Sequence, residues 1–363
     1  VDNLSQKTKK LVAHSIDVIK RGQSPNGGYV ACPNFGQYTF CWYRDGSFTA
    51  HAMSVMGETA SATQFHDWAA RTALANAHFA RECISRANRG EPIDTKRILR
   101  TRYPLSEPHA DDDWPNFQLD GFGTWLWAAI DHLRRSKDAQ AAARWRPALD
   151  LVAEYLAALW RLPNHDCWEE NGDRVNITTL VALYGGLNAY ALHTNSAFAS
   201  AAAHNIRTEI LARGVCNGHL RKFVDEGCEV DAALIGAAVP YALFDVQNPI
   251  MSATAEKIER DLRRGGVHRY ATDSYYGGGE WILLTAWLGW HYAAAGNTPA
   301  AQNCLDWIVN QADDNLELPE QVAQNLIVPE KLPEWQARWG EVAKPLLWSH
   351  AQFLILWQAL NKM

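Results

Sequence analysis

No stretch of the 363 residues holds the ~18 to 20 consecutive apolar residues of a membrane span, and the opening VDNLSQKTKK contains no apolar signal core. Basic residues do not gather either. Lys plus Arg (34) are outnumbered by Asp plus Glu (40), the net charge is −6, and both signs are spread along the chain. Neither nucleic acid nor a membrane is expected as a partner. Cysteine pairs are missing: Cys32, Cys41, Cys83, Cys167, Cys216, Cys228 and Cys304 are odd in number, widely spaced and without a CxxC. That pattern argues against a disulfide framework or a cysteine zinc site, and it predicts buried free thiols in a reducing, cytoplasmic compartment. His109, His165, His268 and His350 form no HxH or HExxH, so metal ligation is not expected. GxSxG is absent, which removes a hydrolase nucleophile elbow. Gly277 to Gly279 follow no strand and have no phosphate-loop lysine, so nucleotide binding is a poor reading.

Strand-like alternation is nearly absent as well, and helical periodicity takes its place. With 47% hydrophobic and 20% charged residues the balance is globular. Two kinds of helix take turns along the chain. One kind is amphipathic: in the run from about 4 to 21, Leu4, Leu11, Val12, Ile16 and Ile19 share a face, and similar runs cover about 59–87, 139–160, 197–213, 250–264 and 299–311. The other kind is apolar nearly all round, as in 45–56, 120–133, 177–192, 230–243, 282–295 and 346–360, and must be buried on every side. Six outer helices alternating with six inner ones predict an all-α (α/α)6 barrel, a single domain over 1–363. Inner-to-outer connections are short (Gly57-Glu58, the stretch around Ser136, Ala295-Gly296-Asn297). Outer-to-inner connections are long: 22–44, 88–119, 161–175, 214–228, 265–281 and 312–345. In a strictly alternating double ring all six long loops emerge at one end, where a shared cavity is expected.

Those loops repeat one palette: Trp, Tyr, Arg, Asp and Glu, with little lysine. Of the sixteen tryptophans, Trp42, Trp114, Trp168, Trp281 and Trp348 stand in loops or at helix starts rather than inside helical runs. Flat aromatic surfaces suit sugar rings, although packing alone also accounts for each one. Arg44-Asp45 either holds a polar, neutral ligand or is a helix-start aspartate with its counter-ion. Hydrolysis of a glycosidic bond needs one protonated and one ionised carboxyl group. Glu169, in the loop HDCWEENG, and Glu320, behind a proline in LELPEQV, are the best pair; the adjacent Glu169 and Glu170 point in different directions.

Six blocks in order, WYRDG (42–46), WxxxQxDGFGxWLW (114–127), WEExG (168–172), HRYxxDSYYGGGxW (268–281), LPEQV (318–322) and LLWSHAQF (346–353), resemble glycoside hydrolase family 15, the glucoamylase family. The resemblance implies an inverting hydrolase without a cofactor, Glu169 as general acid and Glu320 as general base. It further implies that Trp42, Arg44 and Asp45 hold the non-reducing glucosyl unit, with Arg269 and Asp273 beside it. Tyr38 would lie close to the base's water, and Trp114, Glu170, Tyr275 and Trp281 would border the leaving sugar. Trp168 and Glu170 are expected to raise the pKa of Glu169 by desolvation and like charge. The first amphipathic run is expected to be the barrel's first helix, so the N-terminal β-sandwich of many bacterial members is not expected, and Glu280 stands where the family often has proline. A short α-glucoside such as isomaltose is the expected substrate, with α-1,4 malto-oligosaccharides or trehalose as alternatives. A disaccharide phosphorylase and a non-catalytic sugar-binding module are the remoter readings.

Overall fold

The computed structural model describes residues 2–109 and 112–362. Helices α1 (Asp2–Arg21), α2 (Tyr43–Val55), α3 (Thr59–Ala75), α4 (Ala77–Asn88), α5 (Asp120–Ser136), α6 (Ala139–Leu159) and α7 (Ile177–Thr194) make up the first half. Helices α8 (Ala197–Arg213), α9 (Pro249–Leu262), α10 (Ile282–Ala294), α11 (Thr298–Gln311), α12 (Leu332–Trp339) and α13 (Leu347–Asn361) follow. The inner ring closes on itself: α2 packs on α5, α5 on α7, α7 on a 3-10 helix at Ala232–Ala237, that on α10, α10 on α13, and α13 back on α2. The architecture is the (α/α)6 barrel. Among the described residues no helix is long and apolar enough to cross a membrane.

Three of the short turns share one design. Inner helices α5, α7 and α10 are each followed by a left-handed residue (Lys137, Asn195 and Gly296, φ 56°, 57° and 78°), and the next residue caps the outer helix. Asp138 accepts from the backbone N–H groups of Gln140 and Ala141, Ser196 from Ala199, and Asn297 from Ala300. At the opposite end, α2, α5, α7, α10 and α13 begin without a side-chain cap, so their N-terminal dipoles face the long loops.

Four expectations are corrected. The apolar run 230–243 does not form an α-helix: only Ala232–Ala237 coil, as 3-10. Pro240 has no N–H for a fourth turn, and the chain folds back so that Tyr241 packs against Gly185 and Gly236. The outer run 59–87 is broken at Asn76, whose side-chain amide donates to the carbonyls of Thr72 and Pro108 and ends α3. Cys216 and Cys228 form a disulfide within the fourth long loop, while the other five cysteines are free and buried. The pairing of these two removes the cysteine-based reason for a reducing compartment. Finally, the sixth connection, 312–345, is not a loop throughout, because it contains α12.

Two short antiparallel ladders tie the loops together. Phe40–Trp42 pairs with Arg102–Pro104, joining the first loop to the second, with Trp42 opposite Arg102. Glu280–Trp281 pairs with Gln321–Val322, joining the fifth to the sixth and placing Glu320 beside the start of α10.

Candidate active site

A cavity of about 380 Å³ opens at the long-loop end. Thirteen of the fourteen site residues expected from sequence line it. The first loop and α2 supply Tyr38, Trp42, Arg44 and Asp45; the second loop supplies Trp114; the third supplies Trp168, Glu169 and Glu170. Arg269, Tyr275 and Trp281 come from the fifth, Glu320 from the sixth, and Trp348 from the first turn of α13. Asp273 is the exception. It is fully buried behind Arg269, which donates to both of its carboxylate oxygens at 2.8 and 2.5 Å. Among the described residues the fourth loop contributes none to the lining; just beyond it, Asp231 backs the wall by accepting from the Trp168 indole N–H at 2.8 Å, with Lys222 3.4 Å away.

The third loop is knitted by Asp166. One of its carboxylate oxygens accepts from the backbone N–H groups of Trp168 and Glu170, each at 3.0 Å, and the other from the Asn171 amide at 3.0 Å. In this turn Glu169 adopts φ 68°, in the left-handed region. The two neighbouring glutamates diverge, as expected. Glu169 Oε1 accepts from the Trp42 indole at 2.6 Å and from the Gln118 amide at 3.1 Å, with Arg44 4.0 Å away. Glu170 is instead held by Arg269 at 3.2 Å and the Tyr270 hydroxyl at 2.5 Å.

Glu320 is seated differently. Its backbone N–H donates to Ala343, its carbonyl accepts from Ile282, and its carboxylate accepts from the Tyr38 hydroxyl at 3.1 Å. Tyr38 also shares a 3.0 Å hydrogen bond with Tyr275. Burial pushes the Glu320 carboxyl up to about 8; the Tyr38 hydrogen bond and Arg269 pull it down, and Asp45 adds to the rise. Burial likewise raises Asp45 to about 6, against the pull of Arg44 and with a push from Glu169. Arg44 stays firmly cationic: burial opposes its charge, but Asp120 and Asp45 outweigh that. Tyr38 is held well above the usual phenol range by burial and by Glu320, so it is a hydroxyl donor.

Arg269 is boxed by Trp168, Tyr270, Tyr275 and Trp281, whose ring centres lie 5.2 to 5.3 Å from its guanidinium carbon. Arg102 stacks over Trp114 at 3.6 Å and ion-pairs with Asp112, fixing that tryptophan from behind. Glu280 does not reach the cavity. It is fully buried, accepts from the Gly265 N–H at 2.7 Å and the Asn325 amide at 3.2 Å, and locks the fifth loop to the sixth. Sequence reading missed Trp335, Arg338 and Trp339, which α12 brings to the cavity. Their signal was KLPEWQARW, a proline at a helix start followed by two tryptophans four residues apart.

A barrel that gathers one buried and one half-buried carboxyl group of separate loops among tryptophans, tyrosines and arginines defines a glycoside hydrolase. The chain belongs to the glycosyl hydrolases family 15, whose family model matches residues 6–358. It is 41% identical over 358 residues to the isomaltose glucohydrolase of Kribbella flavida, covering 96% of this chain and 91% of that protein. A glutamate-to-alanine variant of a glycosidase, solved in complex with glucose, superposes with a TM-score of 0.94 at 39% identity, covering 99% and 98% of the two chains. A bacterial glucoamylase complexed with acarbose shares the fold, with a TM-score of 0.75 at 17% identity, covering 99% of this chain and 56% of that one.

Proposed function

We propose that the chain is an exo-acting, inverting hydrolase that releases β-glucose from the non-reducing end of a short α-1,6-linked glucoside, isomaltose or an isomalto-oligosaccharide. The observation that carries the reading is one cavity holding Glu169 and Glu320, each on its own loop and each gripped by an aromatic donor, Trp42 and Tyr38. The 41% identity to an isomaltose glucohydrolase supports the linkage, and the glucose bound to a 39% identical neighbour supports the sugar.

In this mechanism Glu169 gives its proton to the glycosidic oxygen as the bond to C1 breaks. A water attacks C1 from the other face, and its proton passes to Glu320. Asp45 and Arg44 accept and donate to hydroxyls of the glucosyl ring, and Trp348 beneath Arg44 gives it an apolar floor. The developing positive charge at C1 sits among carboxylates that the protein has already oriented, so little reorganisation is needed.

Glu169→Gln and Glu320→Gln should each lose about 10²- to 10⁴-fold in kcat while still binding sugar. Near-normal turnover in either variant would remove its assigned role. NMR of the first product should show β-glucose, and initial α-glucose would rule out inversion. Glucose release from isomaltose should exceed release from maltose and trehalose; the reverse order would reassign the linkage.

A further inference from the structure

We propose that α12 is a roof over the acceptor end of the cavity, with Trp335 stacking on the leaving glucose unit and Arg338 and Trp339 closing the path to further units, so that the enzyme is restricted to very short α-glucosides. The inference rests on the hydrolase reading above.

Burial gives the cavity a direction. Arg44 and Trp348, at its floor, are 6% and 4% exposed, whereas α12 contains no buried residue and Arg338 is exposed to solvent. The helix therefore stands at the mouth. Its Trp335 meets Tyr275 edge-on at 4.8 Å, and Tyr275 is one of the residues expected beside the leaving sugar. Arg338 lies 5.5 Å from the Trp335 ring and 4.8 Å from the Trp339 ring, which joins the three side chains into one surface. A flat indole with a guanidinium beside it is suited to the C–H face and hydroxyls of a neutral sugar.

The roof has a purpose-shaped seat, and the seat is the three-glycine run that nucleotide binding could not explain. Gly277 and Gly278 take φ 80° and 68°, and their carbonyls accept from the N–H groups of Val328 and Ile327 at 2.9 and 3.2 Å. A Cβ on Gly278 would meet the Asp273 carbonyl at 2.3 Å and the Ile327 Cβ at 3.1 Å. Only glycine lets segment 326–328 lie this close, and that segment leads into α12. Tyr276 then fastens the helix at its middle and its C-terminal end: its ring stacks on Trp335 at 6.0 Å, and its hydroxyl donates to the Gly340 carbonyl at 2.9 Å. A longer glucan could pass only by lifting a helix held at both ends.

The test compares kcat/KM on isomaltose, isomaltotriose and dextran for the wild-type chain, Trp335→Ala, Trp335→Phe and Arg338→Ala. Trp335→Ala should raise KM for isomaltose about tenfold, the worth of one stacked ring, and Trp335→Phe should restore most of it. Both Trp335→Ala and Arg338→Ala should raise the isomaltotriose-to-isomaltose and dextran-to-isomaltose ratios several-fold. Ratios that stay within about twofold in folded variants overturn the proposal. If Trp335→Ala fails to fold, the exposed Arg338→Ala decides alone. A wild-type chain that releases no glucose from any α-glucoside defeats the functional reading instead; an active one with unmoved ratios defeats only the roof.

Discussion

Glu169 holds a backbone conformation that costs a non-glycine residue about 1 to 2 kcal/mol, and Asp166 supplies the hydrogen bonds that offset it. The strain has a use, because it turns the carboxyl of Glu169 towards Trp42 while Glu170 turns to Arg269. Glu320 has an ordinary backbone but an extraordinary environment. With its carboxyl pushed up to about 8, the ionised form that the proposed role as general base requires fills only as pH rises towards that value. The acid limb of kcat/KM should accordingly lie well above the ordinary glutamate value of 4.5. Tyr38 donates to the ionised form and so lowers the value; Tyr38→Phe should shift the acid limb to still higher pH and cut kcat. A pH profile of both proteins measures this, and a limb that stays in place or moves down would contradict the assigned hydrogen bond.

Helices α5 and α7 touch backbone to backbone. A Cβ on Gly123 would lie 2.6 Å from the Ala182 carbonyl, and one on Gly186 would lie 2.3 Å from the Gly123 carbonyl. Gly123→Ala must push the pair apart, and the expected destabilisation is about 1 to 3 kcal/mol, read as a lower Tm. Activity should fall too, because α5 carries Asp120 at its start and α7 follows the loop of Glu169. Element identity was legible because the inner helices have no polar face and the outer ones do. Where it misled, two codes disagreed. Residues 230–243 are as apolar as any inner helix, but periodicity is silent about the missing N–H of Pro240. In the same way α12 has only eight residues, too few for a hydrophobic stripe to stand out from the long loop around it. Cys216 and Cys228 were brought together by the fold-back of the fourth loop beyond its hairpin, which spacing alone does not announce.

For the molecule as a whole, strict alternation was enough to place the chemistry at one end, and the loop residues converged as their types implied. Asp273 escaped because sequence cannot separate a residue that touches a ligand from one that holds such a residue. The barrel closes where α1, α13 and the sixth loop meet, at His350. Its Nε2 accepts from the Leu318 N–H at 3.0 Å, so Nδ1 carries the proton and donates to Ser15 Oγ at 2.8 Å. Burial, with a contribution from His14, depresses this histidine to about 3 from an ordinary 6.5. The unfolded chain therefore binds a proton that the native state refuses. The stabilisation is complete above pH 6.5 and is lost as pH falls towards 3. Tm measured from pH 7 to 4 should drop, and His350→Gln should flatten that slope while lowering stability at pH 7; an equally steep slope in the variant would place the sensitivity elsewhere.

The short connections at Gly57, Lys137, Asn195 and Gly296 are all exposed and lie at the end away from the cavity. The toroid thus has a working mouth and an idle base. Covalent anchorage to a bead or a fusion partner through that base would leave every sugar-facing loop unhindered and oriented outward.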